Sequence, residues 1–167
     1  MAWNPQIQVF DERAIKDNVF GYVRGAQTEA LYWANGGAAG LPTIRDFHKS
    51  PRLTTIFPAL TLLQTRHTSK YATSDVLEIQ FSILFEMAIV HGNKDILSDR
   101  ATKYSMALES MIANMPETTL NQNSIIGITS TRMDFETTFE VQGKYKTQYI
   151  EVFQTLAKWE FDASIES

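Results

Sequence analysis

The segment Val76–Val90 constrains this chain more than any other, because it reads as two interleaved rows of side chains. Leu77, Ile79, Phe81, Ile83, Phe85, Met87 and Ile89 recur at strict period two, while Glu78, Gln80, Ser82 and Glu86 dominate the alternate positions. Successive side chains of a strand point to opposite faces, so the pattern specifies a strand with one buried and one wetter face. Neither Gly nor Pro interrupts it. At about 3.3 Å per residue such a strand spans roughly 50 Å, whereas common strands hold about five or six residues. A strand that outruns the core of its own domain calls for a second partner. That directs the expectation toward assembly rather than catalysis.

Upstream, Asp11 is a helix N-cap candidate, with Glu12 and Asp17 near the positive end of the helix dipole. Ile15, Val19, Tyr22, Val23, Ala26 and Ala30 follow a helical period and predict a helix over Glu12–Trp33. The stretch Asn35–Pro42, with Gly36, Gly37 and Gly40, ends that helix. A phosphate-cradling loop follows a strand, opens a helix and carries Lys next to Ser or Thr; this one follows a helix and contains no Lys. Thr43–Ser50 is compatible with a short strand or a connector. Ala59–Arg66 predicts a strand that starts just after Pro58, and the polar His67–Asp75 is expected to be the loop of an antiparallel hairpin with the long strand.

Beyond the long strand, Asn93 is expected to cap a helix of about five turns. Its apolar stripe is Leu97, Ala101, Tyr104, Leu108, Met111 and Ile112, and Pro116 prevents continuation. Ile125–Phe135 and Tyr149–Phe161 read as two closing strands, separated by the polar segment Glu136–Thr147 around Gly143. The order α-β-β-α-β-β, with no internal repeat or linker, predicts one α+β domain over residues 1–167. Its core is expected over about 52–163, as an antiparallel sheet of about four main strands with one long hairpin, packed by two helices on one face.

The 167 residues contain no cysteine, which removes disulfides, thiolate nucleophiles and cysteine-based metal sites together. The start Met-Ala-Trp-Asn-Pro does not resemble a secretory signal, and no apolar run approaches the roughly 20 residues that cross a bilayer, so a cytosolic, soluble protein without membrane partners is expected. The 15 basic residues are scattered among 19 acidic ones, which argues against a nucleic-acid partner. His48, His67 and His91 lack the convergent spacing of a metal site and are expected in loops or at strand ends. Glu78, Glu86, Asp134, Glu136 and Glu140 are explained by a solvated face or by guarding a sheet edge. Serines stand outside any Gly-x-Ser-x-Gly elbow. Trp33, Trp159, Tyr104, Phe81 and Phe85 are expected in the core rather than around a ligand. No catalytic, cofactor or metal residue is assigned.

Four segments together resemble the tail terminator family of long-tailed bacteriophages and its relatives at the head–tail joint. Phe57-Pro58-Ala59-Leu60-Thr61-Leu62 is similar to the family's Pro-led first strand, and Ser74–Val90 to its long second strand. Ile96–Met111, with Tyr104-Ser105-Met106-Ala107-Leu108 at its middle, resembles the helix that crosses the sheet. Ile125–Asp134 and Val152–Phe161 resemble the closing strands, ending in Lys158-Trp159-Glu160-Phe161. The resemblance covers about Arg52–Ala163, with Glu12–Trp33 in the place of the family's N-terminal helix. The Gly36–Pro51 connector and the Glu136–Gln148 loop are longer than in compact members.

The resemblance implies a non-enzymatic virion protein, present in the host cytoplasm during assembly. Its expected form is a homo-oligomeric ring, a hexamer, that caps the tail tube, ends its elongation and meets the head connector. The partners implied are further copies of the chain, the tail tube protein and the connector protein. Candidate interface residues are His67, Lys70 and Tyr71 in one polar loop and Lys144, Tyr145 and Lys146 in the other, with Glu78 and Glu86 on the wet row of the long strand. Another neck protein, an assembly adaptor, or a small ligand-binding module or enzyme remain as alternatives.

Overall fold

The alternating run becomes the central strand of a five-stranded sheet in a computed structural model, which describes residues 12–51, 56–71, 73, 76–120, 125–142 and 147–164. The elements are α1 (Glu12–Ala34), β1 (Asp46–His48), β2 (Ala59–Tyr71), β3 (Val76–His91), α2 (Lys94–Ala113), a short 3-10 helix (Glu117–Leu120), β4 (Ile125–Gln142) and β5 (Thr147–Ser164). The sheet order is β1-β2-β3-β5-β4. Every neighbouring pair from β2 to β4 is antiparallel, and β1 alone runs parallel, to β2. The fold is α+β in the expected order, and the segment Thr43–Ser50, compatible with a short strand, supplies the fifth, parallel strand β1.

The odd row of β3 behaves as its pattern requires. Ile79, Phe81, Ile83, Phe85, Met87 and Ile89 are all buried, and Leu77 is half-buried where the strand leaves the core. The matching row of β5 supplies Phe153, Ala157, Trp159 and Phe161 to the same core, and Trp159 stacks on its cross-strand partner Phe81 with ring centroids 6.0 Å apart. Large apolar side chains each contribute about 1.5–3 kcal/mol when fully buried, so this double row is the main stabilising block of the sheet.

Helix α2 covers that row with Leu97, Ala101, Tyr104, Ala107, Leu108, Met111 and Ile112. Its N-terminus is capped as expected: the Asn93 side chain accepts from the backbone N–H of Asp95 at 2.9 Å and of Ile96 at 3.2 Å. Helix α1 joins the same core through a stripe that differs from the expected one. Ile15, Val19, Phe20, Val23, Gln27, Leu31 and Ala34 are buried, while Tyr22, Ala26 and Ala30 lie at its half-buried margin. The shift carries the neighbouring Trp33 out to solvent, at 57% exposure, against its expected place in the core. The Asp11 cap candidate lies outside the described residues.

Gln27 is the polar member of this stripe and has a specific task. Its side-chain oxygen accepts from the Ile44 N–H at 2.6 Å and its amide donates to the Ile44 carbonyl at 3.4 Å. One amide therefore satisfies both backbone groups of a residue in the connector after the Gly-rich loop. The Tyr104 hydroxyl does the same for that connector from α2, donating to the Pro42 carbonyl. The Gly-rich loop itself needs glycine at Gly36 and Gly37, whose φ values are 69° and 80°.

Phe85→Asp places an unpaired charge on the buried row, and the expected loss exceeds about 4 kcal/mol, enough to abolish cooperative unfolding in a urea titration. Gln27→Leu removes both connector hydrogen bonds and leaves the Ile44 groups unmatched, with an expected cost of about 1–3 kcal/mol in the same assay. Burial pushes the Tyr104 hydroxyl up from 10.0 to about 12, against the lowering influence of Arg100. The folded chain therefore holds this proton more tightly than the unfolded one. Its contribution to stability is complete below pH 10 and is lost as pH rises toward 12. Tyr104→Phe should flatten that alkaline loss in melting curves recorded across the pH range.

Candidate assembly surface

Both helices share one core with the odd rows of β3 and β5, which leaves the even rows on the other face of the sheet. On β3 these are Glu78, Gln80, Ser82, Leu84, Glu86, Ala88 and Val90. Register places Glu160, Lys158, Leu156, Gln154, Val152 and Ile150 of β5 directly beside Gln80 through Val90. Gln64, Arg66, Thr68 and Lys70 of β2 complete the layer. Gln80, Lys158, Glu160, Gln64, Arg66, Thr68 and Lys70 are exposed.

The open face divides along the strands. Toward the β2–β3 turn it is polar and laced by weak lateral contacts. Lys70 pairs with Glu78 at 3.3 Å, and Gln80 donates to Glu160 at 3.5 Å. Such exposed pairs contribute about 0–1 kcal/mol each, so they tune the surface without holding the fold. Here the sheet forms a shallow concavity of about 390 Å³, floored by Leu84 and Leu156 and flanked by Arg66, Lys158 and Glu160. Toward the other end the pairs Ala88–Val152 and Val90–Ile150 are apolar and half-buried, and Gln154 donates to Glu86 at 3.5 Å one pair nearer the concavity.

The expected interface residues separate on this framework. His67, Lys70 and Tyr71 are not in a loop, because β2 continues through Tyr71. A register shift between Leu62 and Gln64 exchanges the faces of the strand, so the apolar row Leu60, Leu62 gives way to Thr65, His67 and Ser69 on the helix side. With no apolar row after the shift, the segment has the composition of a loop and the backbone pairing of a strand. His67 lies against Glu12 of α1 at 3.1 Å and Ser69 at 3.1 Å, and Glu12 also accepts from the Thr65 hydroxyl at 3.3 Å. It is a contact between helix and sheet. Lys70 faces the open side and Tyr71 is exposed. Glu78 and Glu86 lie on the open face. Lys144, Tyr145 and Lys146 lie outside the described residues.

The polar segment expected from Glu136 to Thr147 is also largely strand. β4 runs to Gln142 and β5 begins at Thr147, with a register irregularity between Asp134 and Thr138. His48 is buried at the end of β1, beside Asp46 at 3.0 Å, and His91 accepts from the Asn93 N–H at 2.9 Å at the end of β3. Among the described residues no three His, Asp or Glu side chains converge as a metal-binding group, and no helix is long and apolar enough to cross a membrane. Arg66 and Lys158, the cations of the concavity, were missed as site residues. Period two around Lys158 pointed to its exposure, whereas nothing before the face exchange announced that of Arg66.

In comparisons with known proteins, no family model and no curated protein matches the chain.

Because the open face carries little of the folding energy, Gln80→Ala and Glu160→Ala should each change stability by less than about 0.5 kcal/mol in urea titrations. A loss comparable to that of a buried-row variant would refute this assignment of faces.

Proposed function

We propose that this chain is a structural ring protein of a long-tailed bacteriophage, acting as a tail terminator. It caps the tail tube, stops its elongation and presents a surface to the head connector. The observation that carries the reading is the long β2–β3 hairpin followed by a helix crossing the sheet and two closing strands, with α1 and α2 on the same face. That order is the one in which the sequence resembles the terminator family. The function asks for no catalytic residue, and it suits a sheet that exposes one broad face and long edges.

Rings of this kind are built from heterologous contacts, in which each subunit offers one patch and accepts a different one. Long strands serve that purpose because backbone hydrogen bonds supply affinity with little demand on particular side chains. In this reading the tip of the β2–β3 hairpin and the segment between β4 and β5 are docking elements for tube or connector. A head-completion or adaptor protein at a neighbouring level of the neck is the second reading, favoured by the long Gly-rich connector between α1 and β1.

Native mass measurement of the purified chain, alone and mixed with purified tail tubes, tests the proposal. The expected result is a ring of six copies, bound at tube ends. A strict monomer that never binds tube ends would sink it. Lys144→Glu and Lys146→Glu should leave melting temperature unchanged and weaken tube binding. Unchanged binding by both would remove these lysines from the docking surface.

A further inference from the structure

The two layers of the subunit carry different outer surfaces. Outside the sheet lies the concavity, with Arg66 and Lys158 at its rim and Leu84 and Leu156 on its floor. Outside the helices, the face of α1 turned away from the core carries Glu29, Tyr32 and Trp33, all exposed. Among the described residues Trp33 is the one tryptophan that faces solvent. Trp, Tyr and Arg are the residues that most often anchor an interface between chains.

We infer that copies of this chain associate layer to layer, with the Glu29–Trp33 turn of α1 in one copy seated in the open-face concavity of the next. The inference rests on the ring reading above and names the two surfaces that would join its subunits.

Charge complementarity selects this occupant. Arg66 and Lys158 stand at one level of the sheet, on either side of Ser82. Neither has an ion-pair partner among the described residues, and Glu29 has none either. Glu160 shares the rim but accepts from Gln80, and the two cations still outnumber it. A carboxylate delivered between Arg66 and Lys158 satisfies both, and excluding water there strengthens the attraction. Pairing either surface with its own copy sets like charges face to face, which costs affinity. The unlike pairing joins opposite layers of the subunit. It is therefore heterologous, the type from which rings close.

The spacing agrees. Next to the cationic level, the sheet holds Gln64, Leu84 and Leu156 in one row. Successive levels on one face are two residues apart, about 6.7 Å. Glu29 and Trp33 are four residues apart on a helix, about 6.0 Å. A helix laid along the strands thus sets the Trp33 ring on Leu84 and Leu156 while the Glu29 carboxylate meets Arg66 and Lys158. The concavity, at about 390 Å³, falls among sites of about 300–1,000 Å³ that enclose rigid groups of this size.

One turn before Glu29, the same alignment brings the exposed Gly25 over the level of Thr68, Gln80 and Glu160. Glycine weakens a helix interior, and a Cβ at Gly25 would meet nothing within 4 Å in its own subunit. Close approach of a neighbouring sheet gives that glycine a use.

Sedimentation of variants, with and without tail tubes, tests the contact. Trp33→Ala removes the anchor, and Arg66→Glu with Lys158→Glu reverses the rim. Each should melt like the unaltered chain and self-associate at least about tenfold more weakly. Adding Glu29→Lys to the reversed rim should restore assembly, whereas Glu109→Lys, on the exposed side of α2, should leave it unchanged. Folded variants that assemble like the unaltered chain, a swap that restores nothing, or an equal loss from Glu109→Lys overturn the contact and leave the ring reading standing. An unaltered chain that is monomeric at every concentration and at tube ends overturns both. Where a variant does not fold, zero-length carbodiimide cross-linking of the unaltered chain, with isotopically light and heavy copies mixed, decides. Glu29 joined to Lys158 of a different copy is expected, and oligomers without that link refute the proposal.

Discussion

The structure depends on burying the odd row of β3 against α2 while β5 pairs along its whole length. Six consecutive odd positions of β3 are sealed from solvent, and the partner row of β5 adds Phe153, Ala157, Trp159 and Phe161. Because side chains alternate at period two, a slip of one residue would expel the entire row. Burial therefore sets register. Register in turn decides which residues meet on the other face, including Leu84 with Leu156 and Glu86 with Gln154. The composition of the open surface follows from packing on the covered one.

The same constraint explains why the helices sit as they do. α2 follows β3 after a short capped turn and lies over the apolar row, and α1 packs beside it, with Tyr22 donating to the Asn114 carbonyl at 3.2 Å. The connector between α1 and the sheet inserts Ile44 into the core, with Leu41 packed against it. Polar contacts from Gln27 and Tyr104, whose partners are backbone groups of Ile44 and Pro42, fix it further. Among the described residues, a helical pair on one face and none on the other leaves the sheet with an open surface and long edges. These are the raw material for the proposed ring, and catalysis makes no comparable use of them.

How much was legible depended on whether an element buries an apolar row. β3, α2 and the second half of β5 do, and their inward residues were readable from spacing alone. The distal half of β2 does not. After its register shift it carries Thr65, His67 and Ser69 inward, under Glu12, and the polarity of both rows disguised a strand as a loop. The second half of β4 pairs only with β5 among the described residues, and its mixed residues from Glu136 onward were read as a connector for the same reason. In α1 the helix was legible but its inward angle was not. Gln27 turned out to be buried because it has backbone partners, and Trp33 exposed because the stripe lies one residue away from the expected line.

By itself, then, the sequence determined the class of fold, the central strand, its buried row and the capped helix that covers it. Those are set by local periodicity and by the chemistry of single residues such as Asn93 and Pro116. Only the tertiary structure decided where the strands end and which polar residues share the open face. Edge position and cross-strand level are relations between segments far apart in the chain. Backbone pairing, which every residue type except proline can complete, leaves no trace of them in the order of residues.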